Sequence, residues 1–112
     1  MLGIGILTPP TIMYWNITDK ERLITAFTMA DKHDLVKRFL YDILTEKEIR
    51  ECEIRLKAMC LLHDLATYTQ IQSITGLAPA TIARLSKKVN NRKSGFVEII
   101  EKFKKIGPAY SD

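Results

Sequence analysis

Arg84, Lys87, Lys88, Arg92 and Lys93 crowd into ten consecutive residues of a 112-residue chain. No acid occurs anywhere from Leu65 to Val97. A guanidinium is a fixed fork of donors that pairs bidentately with a phosphate, a carboxylate or a guanine edge, and an ammonium is a point charge suited to phosphate. The remainder of the chain is balanced, with nine basic against ten acidic residues from Met1 to Asp64 and three against three from Glu98 to Asp112. The whole excess of +4 therefore sits in one stretch. That partition is the footprint of a surface facing a polyanion, although a solvated basic face gives the same count.

The elements that must position these cations are read from residues 68–89, YTQIQSITGLAPATIARLSKKV. Two short helices meet at Gly76, a residue that adopts the left-handed conformation ending a helix at little cost. Ile71 and Ile74 supply an apolar face on the first helix, Leu77 sits in the turn, and Ile82 and Leu85 face inward from the second. Pro79 suits the first turn of the second helix, where its missing N–H is not needed. With Ile82 and Leu85 inward, Ala80, Thr81 and Arg84 face outward, as a helix lying in a major groove requires. Small residues let the backbone approach, Thr81 reaches a phosphate or a base, and Arg84 reaches guanine or phosphate. The candidate DNA-contacting set is Thr69 and Gln70 at the opening of the first helix, Pro79, Ala80, Thr81 and Arg84 on the second, and Lys87, Lys88, Arg92 and Lys93 gripping the backbone beyond. A generic helical hairpin is the plain structural alternative, and Gln72, where many helix-turn-helix proteins keep a small residue, must bend outward.

Other chemistries find little support. Cys52 and Cys60 lie eight residues apart on one expected helix, roughly 12 Å at 1.5 Å per residue, too far for a disulfide. They read as free thiols at core or boundary positions, which fits a reducing cytosol and a cytoplasmic protein. His63 shares a face with Cys60, but the only other histidine is His33, so no metal site is expected. No Ser-His-Asp or Cys-His arrangement, phosphate loop or paired catalytic carboxylates appear, so neither an enzyme nor a cofactor is expected. No apolar run approaches the roughly 18 residues of a membrane span. Met1 to Ile12 is apolar but lacks a basic start and is broken by Pro9-Pro10, so it does not read as a signal peptide.

Helix follows helix along the chain, with no convincing strand. Thr18-Asp19-Lys20-Glu21 is a capping box opening a helix with Leu23, Ile24, Phe27 and Ala30 on its stripe. Asp31 caps a second helix carrying Leu35, Val36, Phe39, Leu40 and Ile43. Thr45-Glu46-Lys47-Glu48 opens the longest helix, about Glu46 to Leu65, with Ile49, Cys52, Leu56, Met59, Cys60 and His63 as apolar positions. Its early acids suit the positive end of the helix dipole. A last amphipathic helix runs from about Phe96 to Lys105 and stops before Gly107-Pro108. The expectation is an all-α fold of about six helices. Residues 1–17 form an extension or arm, whose Ile12, Met13, Tyr14 and Trp15 pack on the body or on a partner, and 18–107 form one helical domain.

Residues 39–89 resemble the Trp-repressor superfamily, and most closely its YerC/YecD branch. The resemblance rests on FLYDILTEKE before the long helix, Arg55 within it, Tyr68-Thr69, and TG-x-x-x-ATI-x-R at Thr75 to Arg84; a weaker similarity extends from about Asp19 to Phe103. It implies an intertwined helical homodimer with a shared core and two reading heads about one DNA turn apart, roughly 34 Å. In tryptophan-responsive members a corepressor wedges between core and reading head, and the matching positions are Thr45, Arg55 and Arg84. Those members have glycine after the last of these, where this chain has Leu85, and their linker between the counterparts of Gln70 and Gly76 is longer. Tryptophan binding is therefore not expected. The leading expectation is a dimeric, sequence-specific, repressor-like regulator of double-stranded DNA with any small-molecule effector left open. The alternative is a dimeric protein-interaction module whose helix-turn-helix no longer binds DNA.

Overall fold

The computed structural model describes residues 14–106, which form six α-helices and no strand among the described residues. The chain divides into two compact units, Met1–Thr45 and Glu46–Asp112.

The first unit holds α1 (Asp19–Met29) and α2 (His33–Ile43). The Thr18 hydroxyl accepts the Glu21 N–H at 3.1 Å, so α1 is capped, but from one side only and not by the reciprocal box expected. Asp31 is not the cap of α2. That position belongs to Lys32, whose side chain makes no capping bond, and Asp34 in the first turn pairs instead with Arg38 at 2.8 Å. Phe27 and Phe39 join the helices edge to face at 4.9 Å. No side chain of either helix is fully buried, and Leu23, Ile24, Tyr41 and Ile43 stay 44–55% exposed. Before α1, a single 3₁₀ turn at 14–16 is fastened by Arg22. Its guanidinium donates to the carbonyls of Tyr14 and Ile17, pairs with Asp19 at 2.9 Å and lies 4.5 Å over the Trp15 ring. Ile12 and Met13, assigned to the arm, lie outside the described residues, as do Pro9-Pro10 and Gly107-Pro108.

The second unit holds α3 (Glu46–His63), α4 (Tyr68–Thr75), α5 (Pro79–Val89) and α6 (Gly95–Ile106). α3 stops two residues before the expected Leu65. Leu65 takes a left-handed φ of +67°, and the Leu65 and Ala66 N–H groups turn back to the carbonyls of Leu62 and Leu61 at 3.1 and 3.0 Å. This is a Schellman termination with leucine where glycine is usual. The stripe expected on α3 is covered only in part, with Ile49, Met59, Cys60 and His63 half-buried. Ala58 is its one fully buried residue, flanked by Met59, Leu61 and Leu62, whereas Cys52 and Leu56 are exposed. A residue as small as alanine permits close approach of α4 and α5, both of which pack on α3. Helical periodicity favoured the larger side chains on the neighbouring face. α6 begins where Ser94 Oγ accepts the Val97 N–H at 3.4 Å, and Phe96 meets the His63 ring edge-on at 6.2 Å. Val97 and Ile100 are half-buried, and Ile99 and Phe103 are exposed.

Candidate nucleic-acid interface

α4 begins with a complete capping box. Thr67 Oγ1 accepts the Gln70 N–H at 3.1 Å, and Gln70 Oε1 accepts the Thr67 N–H at 2.8 Å. It ends at Gly76, whose φ of +75° is left-handed and whose N–H donates to the Gln72 carbonyl at 2.8 Å. Thr75 braces the turn from inside, with its hydroxyl donating to the Ile71 carbonyl at 2.6 Å and accepting the Leu77 N–H at 3.2 Å. α5 then starts with Pro79 in its first turn, and the Ala78 carbonyl receives the Thr81 and Ile82 N–H groups.

Ile71 and Ile82 are fully enclosed, Leu85 is 8% exposed, and Ala58 of α3 completes the core. Leu77 packs against it from the turn and Val89 continues the buried row of α5. Ile74 does not join. It is 52% exposed, although its i+3 offset from Ile71 is the same as that of the buried Leu85 from Ile82. Thr75 takes the partly buried position instead.

Ile82, Leu85 and Val89 fix the rotation of α5, which leaves Ala80, Arg84, Lys87 and Lys88 exposed and Thr81 half-buried. Arg84 Nη2 donates to Thr81 Oγ1 at 3.4 Å. Arg92 and Lys93 follow in the turn before α6, where the Lys93 N–H donates to Asn91 Oδ1 at 3.0 Å. None of these five cations forms an ion pair among the described residues. Lys87 and Lys88 also stand in the last turn of α5, where the helix dipole favours positive charge.

Thr69 and Gln70 are exposed in the first turn of α4. The carbonyl of Gln70 is committed to the capping box, so only its amide N–H₂ is free for a ligand. Both residues line a shallow groove with Thr67, Ser73 and Ile74. Ser73 was not singled out from the sequence, although its i+4 relation to Thr69 was there to be read.

Two hollows lie between α3 and α5. One, of about 140 Å³, is lined by Arg55, Thr81, Arg84, Leu85 and Lys88. The other, of about 190 Å³, is lined by Glu51, Ile54, Arg55, Leu77, Thr81 and Arg84. Arg55 and Arg84 thus border both, and Thr45 belongs to the other unit. Cys52 is exposed on α3, against the expectation of a core or boundary position, because its face of α3 is not the one covered. Cys60 is half-buried, and burial, with the Asp64 carboxylate as a lesser cause, pushes its thiol pKa up. No group of three His, Cys, Asp or Glu among the described residues is arranged to hold a metal ion. No helix among them is long and apolar enough to cross a membrane.

Two short helices clamped at a left-handed glycine, with a basic, acid-free outer helix, define a helix-turn-helix protein. The family model described as Trp repressor protein matches residues 19–104, and the chain belongs to that family, one of DNA-binding regulators rather than enzymes. No curated protein and no solved structure matches the chain.

Proposed function

We propose that this protein is a sequence-specific, repressor-like regulator that binds double-stranded DNA as a cytoplasmic homodimer, of the YerC/YecD type within its family. The observation that carries the reading is the outward row of α5. Ala80, Thr81 and Arg84 stand on a helix held rigidly by Ile82 and Leu85, four more cations follow along one acid-free stretch, and none of the five forms an ion pair among the described residues. In this reading the helix lies in the major groove with Arg84 on a base edge or phosphate, while Lys87, Lys88, Arg92 and Lys93 hold the backbone. Thr69, the free amide of Gln70 and the first turn of α5 at Pro79 complete the contact.

The half-exposed apolar side chains of α1 and α2 support the homodimer, since that unit encloses no core of its own. Residues 18–107 then act as one domain and 1–17 as its arm. Leu85 supports the absence of a tryptophan response, because it stands in the core and on the wall of the 140 Å³ hollow where tryptophan-binding relatives have glycine. Micromolar affinity for L-tryptophan by calorimetry refutes that part.

Selection of bound oligonucleotides from random duplex DNA tests the main proposal, and one enriched near-palindromic site is the expected result. On that site Arg84→Ala loses at least about tenfold in affinity, or about 1.4 kcal/mol. If no site is enriched and no duplex binds at low salt, the apolar faces of α1 and α2 favour a protein-interaction module instead.

A further inference from the structure

α5 carries no Asn, Gln, Asp or Glu from Pro79 to Val89. Side-chain amides are the groups that read adenine, and carboxylates are those that accept from cytosine, so a helix with neither cannot read those bases in that way. Asn90, the next residue, is occupied at the far end of the helix, where its amide donates to Ser86 Oγ at 3.3 Å. The outward side of α5 therefore offers a groove two main kinds of group. One is cationic, Arg84 with Lys87 and Lys88, and the other is apolar, Ala78, Pro79 and Ala80, all three exposed.

The backbone of the first turn is equally poor in free polar groups. Pro79 has no N–H, and the N–H groups of Thr81 and Ile82 both donate to the Ala78 carbonyl, at 3.0 and 3.1 Å. Ala78 precedes the helix and makes no side-chain cap. In this turn only Ala80 keeps an N–H with no acceptor among the described residues.

Exposed apolar carbon beside a single donor has one counterpart in the major groove. Thymine presents a C5-methyl group next to the O4 acceptor, whereas cytosine presents an amine there and the purines present no methyl. Arg84 follows Ala80 by four residues, about 6 Å along the helix at 1.5 Å per residue. That span equals about two base steps of 3.4 Å. The Arg84 fork touches Thr81 through Nη2 alone, at 3.4 Å, and its other donors suit guanine O6 and N7.

We propose that α5 selects its DNA by a thymine methyl packed on Ala80 and Pro79, with a guanine about two base pairs away under Arg84. This rests on the DNA-binding reading above and gives it a substrate, a half-site that combines the two bases at that spacing. Ala80 is then a specificity residue, although its side chain has no polar atom.

The test uses the full chain and selection from random duplex DNA. Each half of the enriched site is expected to hold a thymine within about three base pairs of a guanine. Uracil differs from thymine only by the methyl. Replacing that thymine by uracil in both halves is expected to weaken binding about fifteenfold, about fourfold for each methyl that loses its burial. Ala80→Ser is expected to bind the thymine and uracil duplexes within about twofold of each other. 5-Methylcytosine paired with guanine keeps the methyl but puts an amine in place of O4, and weaker binding than to thymine is expected. The uracil comparison needs no variant, so it decides even if Ala80→Ser fails to fold. Equal binding of thymine and uracil duplexes by the wild type overturns the proposal, as does an undiminished preference in a folded Ala80→Ser. So does 5-methylcytosine bound as well as thymine, or binding with no enriched site that places thymine near guanine. In each of these cases DNA binding itself stands. If no duplex binds at any salt, the DNA-binding reading fails and takes this inference with it.

Discussion

Removal of Lys87 and Lys88 together separates a DNA-gripping surface from a merely solvated one. Arg84, Lys87, Lys88, Arg92 and Lys93 are all exposed and unpaired by any acid among the described residues, so each is free to displace a counterion from DNA. If all five engage, log K against log salt has a slope of about −4.5 for each copy and about −9 for two copies acting together. For a single copy, affinity then falls about 500-fold between 50 and 200 mM salt. Lys87→Ala combined with Lys88→Ala flattens the slope by about 1.8 per copy. Both side chains are exposed, so the fold is left within about 0.5 kcal/mol of the parent. Fluorescence anisotropy with a labelled random duplex, titrated with potassium chloride, measures both slopes. A parent slope shallower than about −1, or the same slope in both proteins, refutes the assignment of these cations to phosphate.

Ile82→Ala removes a fully enclosed side chain from the helix-turn-helix core and should cost about 2–5 kcal/mol. Ile74→Ala, at a half-exposed position, should change stability by no more than about 0.5 kcal/mol. Urea unfolding at one fixed protein concentration compares them, and equal losses contradict the packing described. Leu65→Gly relieves a left-handed leucine, a strain of roughly 1–2 kcal/mol, against roughly 0.5–1 kcal/mol for glycine's flexibility. Since Leu65 is 89% exposed, little packing is lost and Tm should rise slightly; a clear fall shows that the side chain is engaged elsewhere. Asp64→Asn should lower the raised thiol pKa of Cys60 and speed its alkylation by iodoacetamide, read on a Cys52→Ser background, though less than full exposure would. Because the folded value is raised, Cys60 contributes stability that is complete below its unfolded pKa and lost as pH rises through the folded one. A rate–pH profile for Asp64→Asn identical to that of its parent refutes the carboxylate's share.

The reading helix was legible because its signs are local. Gly76 requires a positive φ, Pro79 marks a first turn, and Ile82 and Leu85 recur at helical spacing, so their interior places were readable from type and position. The partner face of α3 was legible only in part, through Met59, for the opposite reason. Ala58 is buried because α4 and α5 pack closely on α3, a fact of tertiary approach that its own sequence neighbourhood does not encode. Leu56 and Cys52 carried the stronger apolar pattern and are exposed. Ile74 failed by a smaller margin. Its spacing from Ile71 is correct for a helix stripe, but a helix of two turns offers room for one enclosed isoleucine, and Thr75 fills the adjoining place with a hydroxyl that braces the turn.

α5 presents three faces, and some of its residues serve two of them. Leu85 belongs both to the core beneath the helix and to the wall of the 140 Å³ hollow. Arg84 stands on the outward row and borders both hollows. A substitution at Leu85 therefore alters packing and pocket together, and one at Arg84 alters the proposed DNA contact and both hollows together. Arg55 differs, because it comes from α3 and reaches the helix only through the hollows. Its replacement leaves the outward row of α5 as it stands, so a changed DNA affinity in Arg55→Gln would come from the hollows and not from that row.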